Sequence, residues 1–372
     1  MSSSTEPKIT NVKRTDRNMK FTISEIDCAL INSIRRVILS EIPNAAFAFD
    51  PYDKNMTDIE FYKNTSSLHN EFLGHRLSMI PVNLTGEVID NYNNSNAKDY
   101  KYVIQVKNTT SEMLSVTTDD IRIFYDDRDI TKKVHASIFP KDKKCNGAIL
   151  INRLKPNLYN KDFGEEMDVA MFARIDVAKT HARWCPVSTC TYFNTLDDEA
   201  IKKEDKNIDK KDNTAVNQFN CIGKYRLFVK NEYDEPKSFD VEIESECALT
   251  PEYLFVKAID IIIAKIIDIR SKPNKYTVET LDADNNMFMV TIEQETHTIA
   301  NLIQAYIYKF FNREGTGVDY IGYNVPHPLE ERVVFKIKMD PKVFPNIEVL
   351  FTDAFSKLED LLVNLKTLFQ KM

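Results

Sequence analysis

"HTIANLIQAYI", residues 297–307, repeats a pattern the chain has already used in "CALINSIRRVI", residues 28–38, at a constant offset of 269. A strand pattern precedes each copy. In "FTIS" (21–24), Phe21 and Ile23 alternate with Thr22 and Ser24, and in "FMVTIE" (288–293), Phe288, Val290 and Ile292 alternate with their neighbours, as in half-buried strands. Asp27 and Thr296 share an aligned position; both are preferred N-cap residues, and each opens a run with apolar residues at helical spacing. Leu30, Ile34, Val37 and Ile38 form the apolar face of the first predicted helix, and Ile299, Ile303, Tyr306 and Ile307 that of the second. Asn32 aligns with Asn301. Asparagine costs a helix interior roughly half a kcal/mol relative to alanine, so its recurrence points to a shared structural job. Two strand–cap–helix units imply two related modules in one chain.

Composition sets the outer limits. At 372 residues with 43% hydrophobic content, the chain holds two or three domains with ample cores. A formal charge of −7 argues against a protein whose main task is gripping nucleic-acid phosphates, and basic clusters such as Lys141, Lys143 and Lys144 are too short to reverse this. "MSSSTEPKITNVKR" at the N-terminus lacks an apolar signal core. The most apolar stretch, "AIDIIIAKIIDI" (258–269), carries Asp260, Lys265 and Asp268, too short and too charged to span a bilayer. The expectation is an intracellular, soluble protein with no membrane partner. Cysteines 28, 145, 185, 190, 221 and 247 have no framework of regular spacings, as expected of reduced thiols.

Along the chain, Pro43 ends the first repeat helix, and β-rich segments with polar loops follow. "EMDVAMFARIDVA" (166–178) places Val169, Met171, Ala173, Ile175 and Val177 on one strand face, while "DDEAIKKEDKNIDKKDN" (197–213) reads as a mobile charged loop. Strands resume in "GKYRLFVKN" (223–231) and "SFDVEIES" (238–245), before a helix with Thr250 as N-cap and Pro251 at its first position. "IEVLFTDAFSKLEDLLVNLKTLF" (347–369) is a long amphipathic helix with apolar residues near 347, 351, 354, 358, 361, 365 and 368. The expected fold is α+β. A first module at 1–48 and 220–272 is split by an inserted β-rich domain at 49–219; a polar linker at 273–286 leads to a second module at 287–372.

In this arrangement the chain resembles the two α-type subunits of the assembly platform of multisubunit DNA-dependent RNA polymerases, joined in one chain as in some large cytoplasmic DNA viruses. "NSIRRVILSEIP" (32–43), "LGHRLSMIPV" (73–82) and "HARWCPVS" (181–188) are similar to the larger α-like subunit. "ETHTIANLIQAYI" (295–307) and "YIGYNVPHPLEERVVFKI" (320–337) are similar to the smaller one. The resemblance implies a non-catalytic scaffold without cofactors. Its two modules would pair in cis through Leu30, Ile34, Val37, Ile38, Ile299, Ile303 and Ile307, and would recruit the second-largest catalytic subunit, with the largest subunit and small adaptor subunits as further partners. Arg35 and Arg36 match the large-subunit contact, a role suited to the guanidinium fork. Gln304 and Ala305 stand at the aligned positions, so only the first module would dock in this way. A viral origin would place the chain in host cytoplasm and virion.

Departures from the family pattern matter as well. Residues 83–101 contain no cysteine, so the zinc loop of some larger subunits is expected to be absent. Asp176 and Ala178 replace glycines that precede the "HARW" segment, which leaves the path of that connection open. His181, Cys185 and Cys190 are three potential zinc donors, but their spacing is unlike the paired C-x-x-C of structural sites. His75, Arg76, His181, Trp184, Pro186 and His327 are read instead as structural connectors, with His75 at a strand start and His327 in a turn between strands. Phosphate loops, H-E-x-x-H and G-x-S-x-G are missing, as is the clustered aspartate run of a polymerase centre; Asp282 and Asp284 read as linker solvation. An enzyme is therefore not expected. The competing reading is a stand-alone zinc- or nucleic-acid-binding module, which the acidic balance and the lack of basic residues interleaved with aromatics disfavour.

Overall fold

The computed structural model describes residues 6–92, 100–142, 145–160, 164–271, 275–282, 286–312 and 316–371; Lys143, Lys144 and Asp284, weighed above, lie outside them. In chain order, β1 (Lys8–Arg14), β2 (Asn18–Ser24) and α1 (Cys28–Ser40) lead into β3 (Pro43–Phe47), β4 (Ile59–Asn64), α2 (Asn70–Ser78) and α3 (Gly86–Asn91). Then come β5 (Tyr100–Lys107), β6 (Leu114–Thr117), β7 (Ile121–Tyr125), β8 (Arg128–Asp129), α4 (Thr131–Ile138), β9 (Leu150–Leu154) and β10 (Glu166–Val177). β11 (Val187–Asn194), α5 (Asp198–Asn207), α6 (Asn213–Cys221), β12 (Ser238–Ser245) and α7 (Pro251–Ser271) follow. The last elements are β13 (Tyr276–Asp282), β14 (Met287–Glu293), α8 (His297–Ile307), β15 (Val318–Asn324), β16 (Arg332–Met339) and α9 (Ile347–Gln370).

The chain forms two compact units. One comprises 1–39, 189–244 and 251–372; the other comprises 40–188 and 245–250. The first unit contains two antiparallel four-stranded sheets with the same plan, β1-β2-β12-β11 and β13-β14-β16-β15. In each, the strand before the first helix lies beside the strand before the last helix. The offset of 269 holds for the bounds of β2 and β14 and for the first residues of α1 and α8. It also holds for a costly backbone feature: Glu25 (φ 64°) and Gln294 (φ 60°) both adopt the left-handed conformation between strand and helix. There the Glu25 N–H donates to the Lys237 carbonyl at 2.8 Å, and the Gln294 N–H donates to Glu331 at 2.6 Å. Left-handed geometry costs a non-glycine residue roughly 1 kcal/mol, so its recurrence marks one architecture used twice.

Alternation explains both cores. Phe21, Ile23, Phe239, Val241 and Ile243 turn inward from the first sheet, and Val290, Ile292, Val333, Phe335 and Ile337 from the second. α7 begins at Pro251, as expected, and buries Leu254, Phe255, Ala258, Ile259, Ile262, Ile266 and Ile269. α9 buries Leu362 and Phe369 where periodicity marked 361 and 368, because the face drifts by a residue over a long helix. The two long helices run antiparallel: Phe255 stacks on Phe369 at 4.2 Å, Asp260 pairs with Lys366 at 2.5 Å, and Arg270 pairs with Glu359 at 3.2 Å.

Three expectations are corrected here. The charged stretch 197–213 is not a loop: α5 and α6 form there, capped by Asp197 and Asp212, whose carboxylates accept backbone N–H bonds at the helix starts. Neither helix buries a residue, so local capping rather than packing specifies them. Half of the expected linker is β13, which pairs with β14 through the backbone while its side chains stay largely exposed. Residues 189–219, expected in the insertion, belong to the first unit, because β11 joins the β1-β2-β12 sheet, and residues 40–48, expected in the first module, belong to the second unit, because β3 pairs with β10.

The second unit is built on β10, which pairs with β3, β4 and β5. Val169, Met171 and Ala173 are buried as the alternation demands, against Tyr102, Ile104, Ile121, Ile123, Leu73 and Leu77. Asp176 makes the turn without glycine: its carboxylate accepts the Val177 N–H at 2.8 Å and the Thr180 hydroxyl at 2.9 Å.

Candidate assembly surface

α1 and α8 carry the sequence-predicted pairing residues. Leu30, Ile34, Val37, Ile38, Ile299, Ile303 and Ile307 are all 1% exposed or less. The Asp27 carboxylate caps α1 by accepting the Ala29 N–H at 2.7 Å, whereas Thr296 starts α8 without a side-chain cap bond. The first residue of each helix holds a tyrosine on the corresponding edge strand. Cys28 Sγ lies 3.3 Å from the Tyr192 hydroxyl on β11, and His297 Nδ1 lies 3.2 Å from the Tyr323 hydroxyl on β15. Burial, followed by the Cys28 contact, pushes the Tyr192 phenol up to about 12, and burial likewise raises that of Tyr323.

The two helices also touch each other. The Ser33 hydroxyl shares its proton between the Ala29 carbonyl of its own helix, at 2.8 Å, and the Thr298 carbonyl of α8, at 3.0 Å. Arg36 Nε donates to Thr298 Oγ1 at 2.8 Å. Tyr306, near the other end of α8, is buried beside Asp27, and that burial, with the Asp27 carboxylate, pushes its phenol upward. Residue 27 meets 306 while 33 and 36 meet 298, so α1 and α8 run antiparallel. At the C-terminal end of α9, Phe369 also packs edge-on against Phe21 at 5.3 Å.

The arginine pair is not uniform. Arg35 is half-buried, and its Nε and Nη2 both donate to Asn32 Oδ1, at 3.1 and 3.0 Å, which accounts for the helical asparagine in the first copy. Arg36 is exposed while it bonds Thr298. In the second copy, Gln304 accepts the Tyr323 N–H at 3.2 Å, so the residue aligned with Arg35 is drawn into its own sheet edge.

The connector residues lie elsewhere. His75 is exposed on α2, a correction to its expected strand position that follows from the four-residue spacing of the buried Leu73 and Leu77. Arg76 donates to the carbonyls of Ile151 and Leu150, at 3.0 and 2.9 Å. His181 Nδ1 accepts from both the backbone N–H and Nε of Arg183, at 3.1 Å each. Burial, and then the nearby Arg183 and His75, holds His181 below the usual histidine range. Trp184 is fully buried, packs with Ala46, Ala48 and Met56, and donates from Nε1 to the Arg174 carbonyl at 3.1 Å. Pro186 is buried and its carbonyl accepts the Glu246 N–H at 3.0 Å; His327 Nδ1 accepts the Leu329 N–H at 3.2 Å between β15 and β16. The Cys185 thiol donates to the Val187 carbonyl at 3.3 Å. Among the described residues no group of three or more His, Cys, Asp and Glu is placed to hold a metal ion, and no helix is long and apolar enough to cross a membrane.

Sequence reasoning did not single out Ser33, Thr298, Tyr192, Tyr323 or Phe369. One signal was present for Ser33: it interrupts the apolar face between Leu30 and Ile34.

A family model described as the RNA polymerase Rpb3/Rpb11 dimerisation domain matches residues 20–266, more than half of the chain, and a second of the same description matches 288–367. The chain belongs to the RNA polymerase Rpb3/Rpb11 dimerisation-domain family. Similar proteins include a conjugation stage-specific protein of Tetrahymena thermophila, 27% identical over 72% of this chain and 84% of its own length. Subunit 3B of DNA-directed RNA polymerases IV and V of Arabidopsis thaliana is 26% identical over 73% of this chain and 91% of its own length. DNA-directed RNA polymerase II subunit RPB3 of Schizosaccharomyces pombe is 22% identical over 78% of this chain and 96% of its own length. The family makes this chain a non-catalytic assembly subunit of a DNA-dependent RNA polymerase, with the other polymerase subunits as its associates.

Proposed function

We propose that this chain carries a larger and a smaller α-like unit fused into one platform, paired in cis, that recruits the second-largest catalytic subunit, with the largest as a further partner. The observation that carries this reading is the antiparallel contact of α1 with α8 and of α7 with α9, between segments that match the dimerisation-domain description separately. The three relatives named above align over 84–96% of their own length with 72–78% of this chain, which supports a second unit added to a whole larger one.

Arg35 and Arg36 are the docking point for the second-largest subunit, where bidentate contacts to carboxylates and carbonyls suit a guanidinium. The second copy offers Gln304 and Ala305 there, so the platform has one docking side. Small adaptor subunits complete the assembly; cofactors, direct nucleic-acid contacts and membranes have no part in it. Fusion of this kind fits a large DNA virus, with the chain in host cytoplasm and virion. The test is to tag the chain, purify it gently from its source, and identify what travels with it in stoichiometric amount. Two very large subunits at one copy each, without separate α-like subunits, are expected. A chain that purifies free of polymerase subunits would overturn the proposal.

A further inference from the structure

We propose that Thr298, with Arg36 and Ser33, is a specificity lock that makes the two halves pair with each other rather than with their own kind. The inference rests on the cis-pairing reading and goes beyond it. Thr298 presents two acceptors to α1, its carbonyl to Ser33 at 3.0 Å and its hydroxyl to Arg36 Nε at 2.8 Å. The residue is only 5% exposed, so these groups depend on partners within the protein.

The repeat shows what the alternatives would look like. At the offset of 269, Ala29 stands in the first copy where Thr298 stands in the second, and Leu302 and Ala305 stand in the second where Ser33 and Arg36 stand in the first. Two first halves brought together in this geometry would set Arg36 against Ala29, which has no hydroxyl. Two second halves would set Leu302 and Ala305 against Thr298, removing both donors and placing a leucine where the serine fits. Only unlike halves form both the Ser33 and the Arg36 contact to Thr298. The apolar residues cannot make this distinction, because Ile34 aligns with Ile303 and Leu30 with Ile299, leaving a sticky face in all three pairings. A chain with two similar faces would otherwise link to further chains, so a polar lock also guards against open-ended assembly.

The experiment uses the full-length chain with Thr298→Val, Thr298→Ser, Arg36→Ala and the double variant Thr298→Val/Arg36→Ala. Thr298→Val and Arg36→Ala should each lower Tm by about 1–3 °C, the double variant should lose little more than either single one, and Thr298→Ser should stay near wild type. Light scattering across a concentration series should show Thr298→Val associating between chains at about tenfold lower concentration than wild type. Fully additive losses, or a Thr298→Val chain with wild-type Tm and association, would overturn the lock. Ile303→Asp in the same assay separates the two levels: a loss there without one in Thr298→Val overturns the lock alone, and no loss in either overturns the pairing beneath it.

Discussion

At aligned positions the two copies reach the same backbone by different chemistry, and they diverge where their helices meet other groups. Cys28 and His297 both hold an edge-strand tyrosine, and Glu25 and Gln294 both turn left-handed before a helix. Then the copies part. Arg35 is braced on Asn32, whereas Gln304 is tied to Tyr323; Arg36 crosses to Thr298, whereas Ala305 carries no polar group. Backbone and buried faces tolerate little drift because every change is felt in packing. Outward positions can take on separate roles, and this difference is the basis for proposing the first copy as the docking side.

The largest effect should come from charging the aligned, fully buried helix positions of the two copies. Ile34→Asp or Ile303→Asp buries an unpaired carboxylate and should cost roughly 3–5 kcal/mol, read as lost cooperative melting and lost protease resistance. Either variant with wild-type stability would break the comparison at its base. Phe369→Ala should cost about 3 kcal/mol in urea unfolding, because the ring lies against both Phe255 and Phe21. Arg35→Ala with Arg36→Ala should cost only about 1 kcal/mol of stability, since few bonds are lost, while capture of the second-largest subunit falls sharply; unaltered capture would remove the asymmetric role.

Two smaller tests address the features the copies share. The raised phenol of Tyr192 favours the folded state while it is neutral, so its contribution is intact below the ordinary tyrosine value and is lost as pH rises toward about 12. Tyr192→Phe should flatten that alkaline loss in stability-versus-pH curves. Gln294→Gly and Glu25→Gly relieve left-handed strain against the entropy of glycine and should change stability by no more than about 0.5 kcal/mol, alike in both copies. Opposite signs would show that the two turns are not equivalent.

Much of this was legible in the sequence because it is periodic. The offset of 269, the alternation in β2, β10 and β14 and the apolar faces of α1, α7, α8 and α9 all follow from local spacing. What was missed has no periodic signal. β13 is held by backbone bonds to β14 with little side-chain burial, and α5 and α6 by aspartate caps in a run whose composition resembles loop. The Ser33–Thr298 and Asp260–Lys366 contacts join residues 265 and 106 positions apart, which no window of sequence brings together.

Zero-length carbodiimide cross-linking of an equimolar mixture of light and heavy isotope-labelled chains, read by mass spectrometry, tests the central claim most directly. The pairs Asp260–Lys366 and Glu295–Lys265 lie at 2.5 and 3.4 Å and are ready to couple. Pairing in cis predicts that both links join peptides of the same label only. Light–heavy links at the statistical proportion, or no link between these residues, would contradict it.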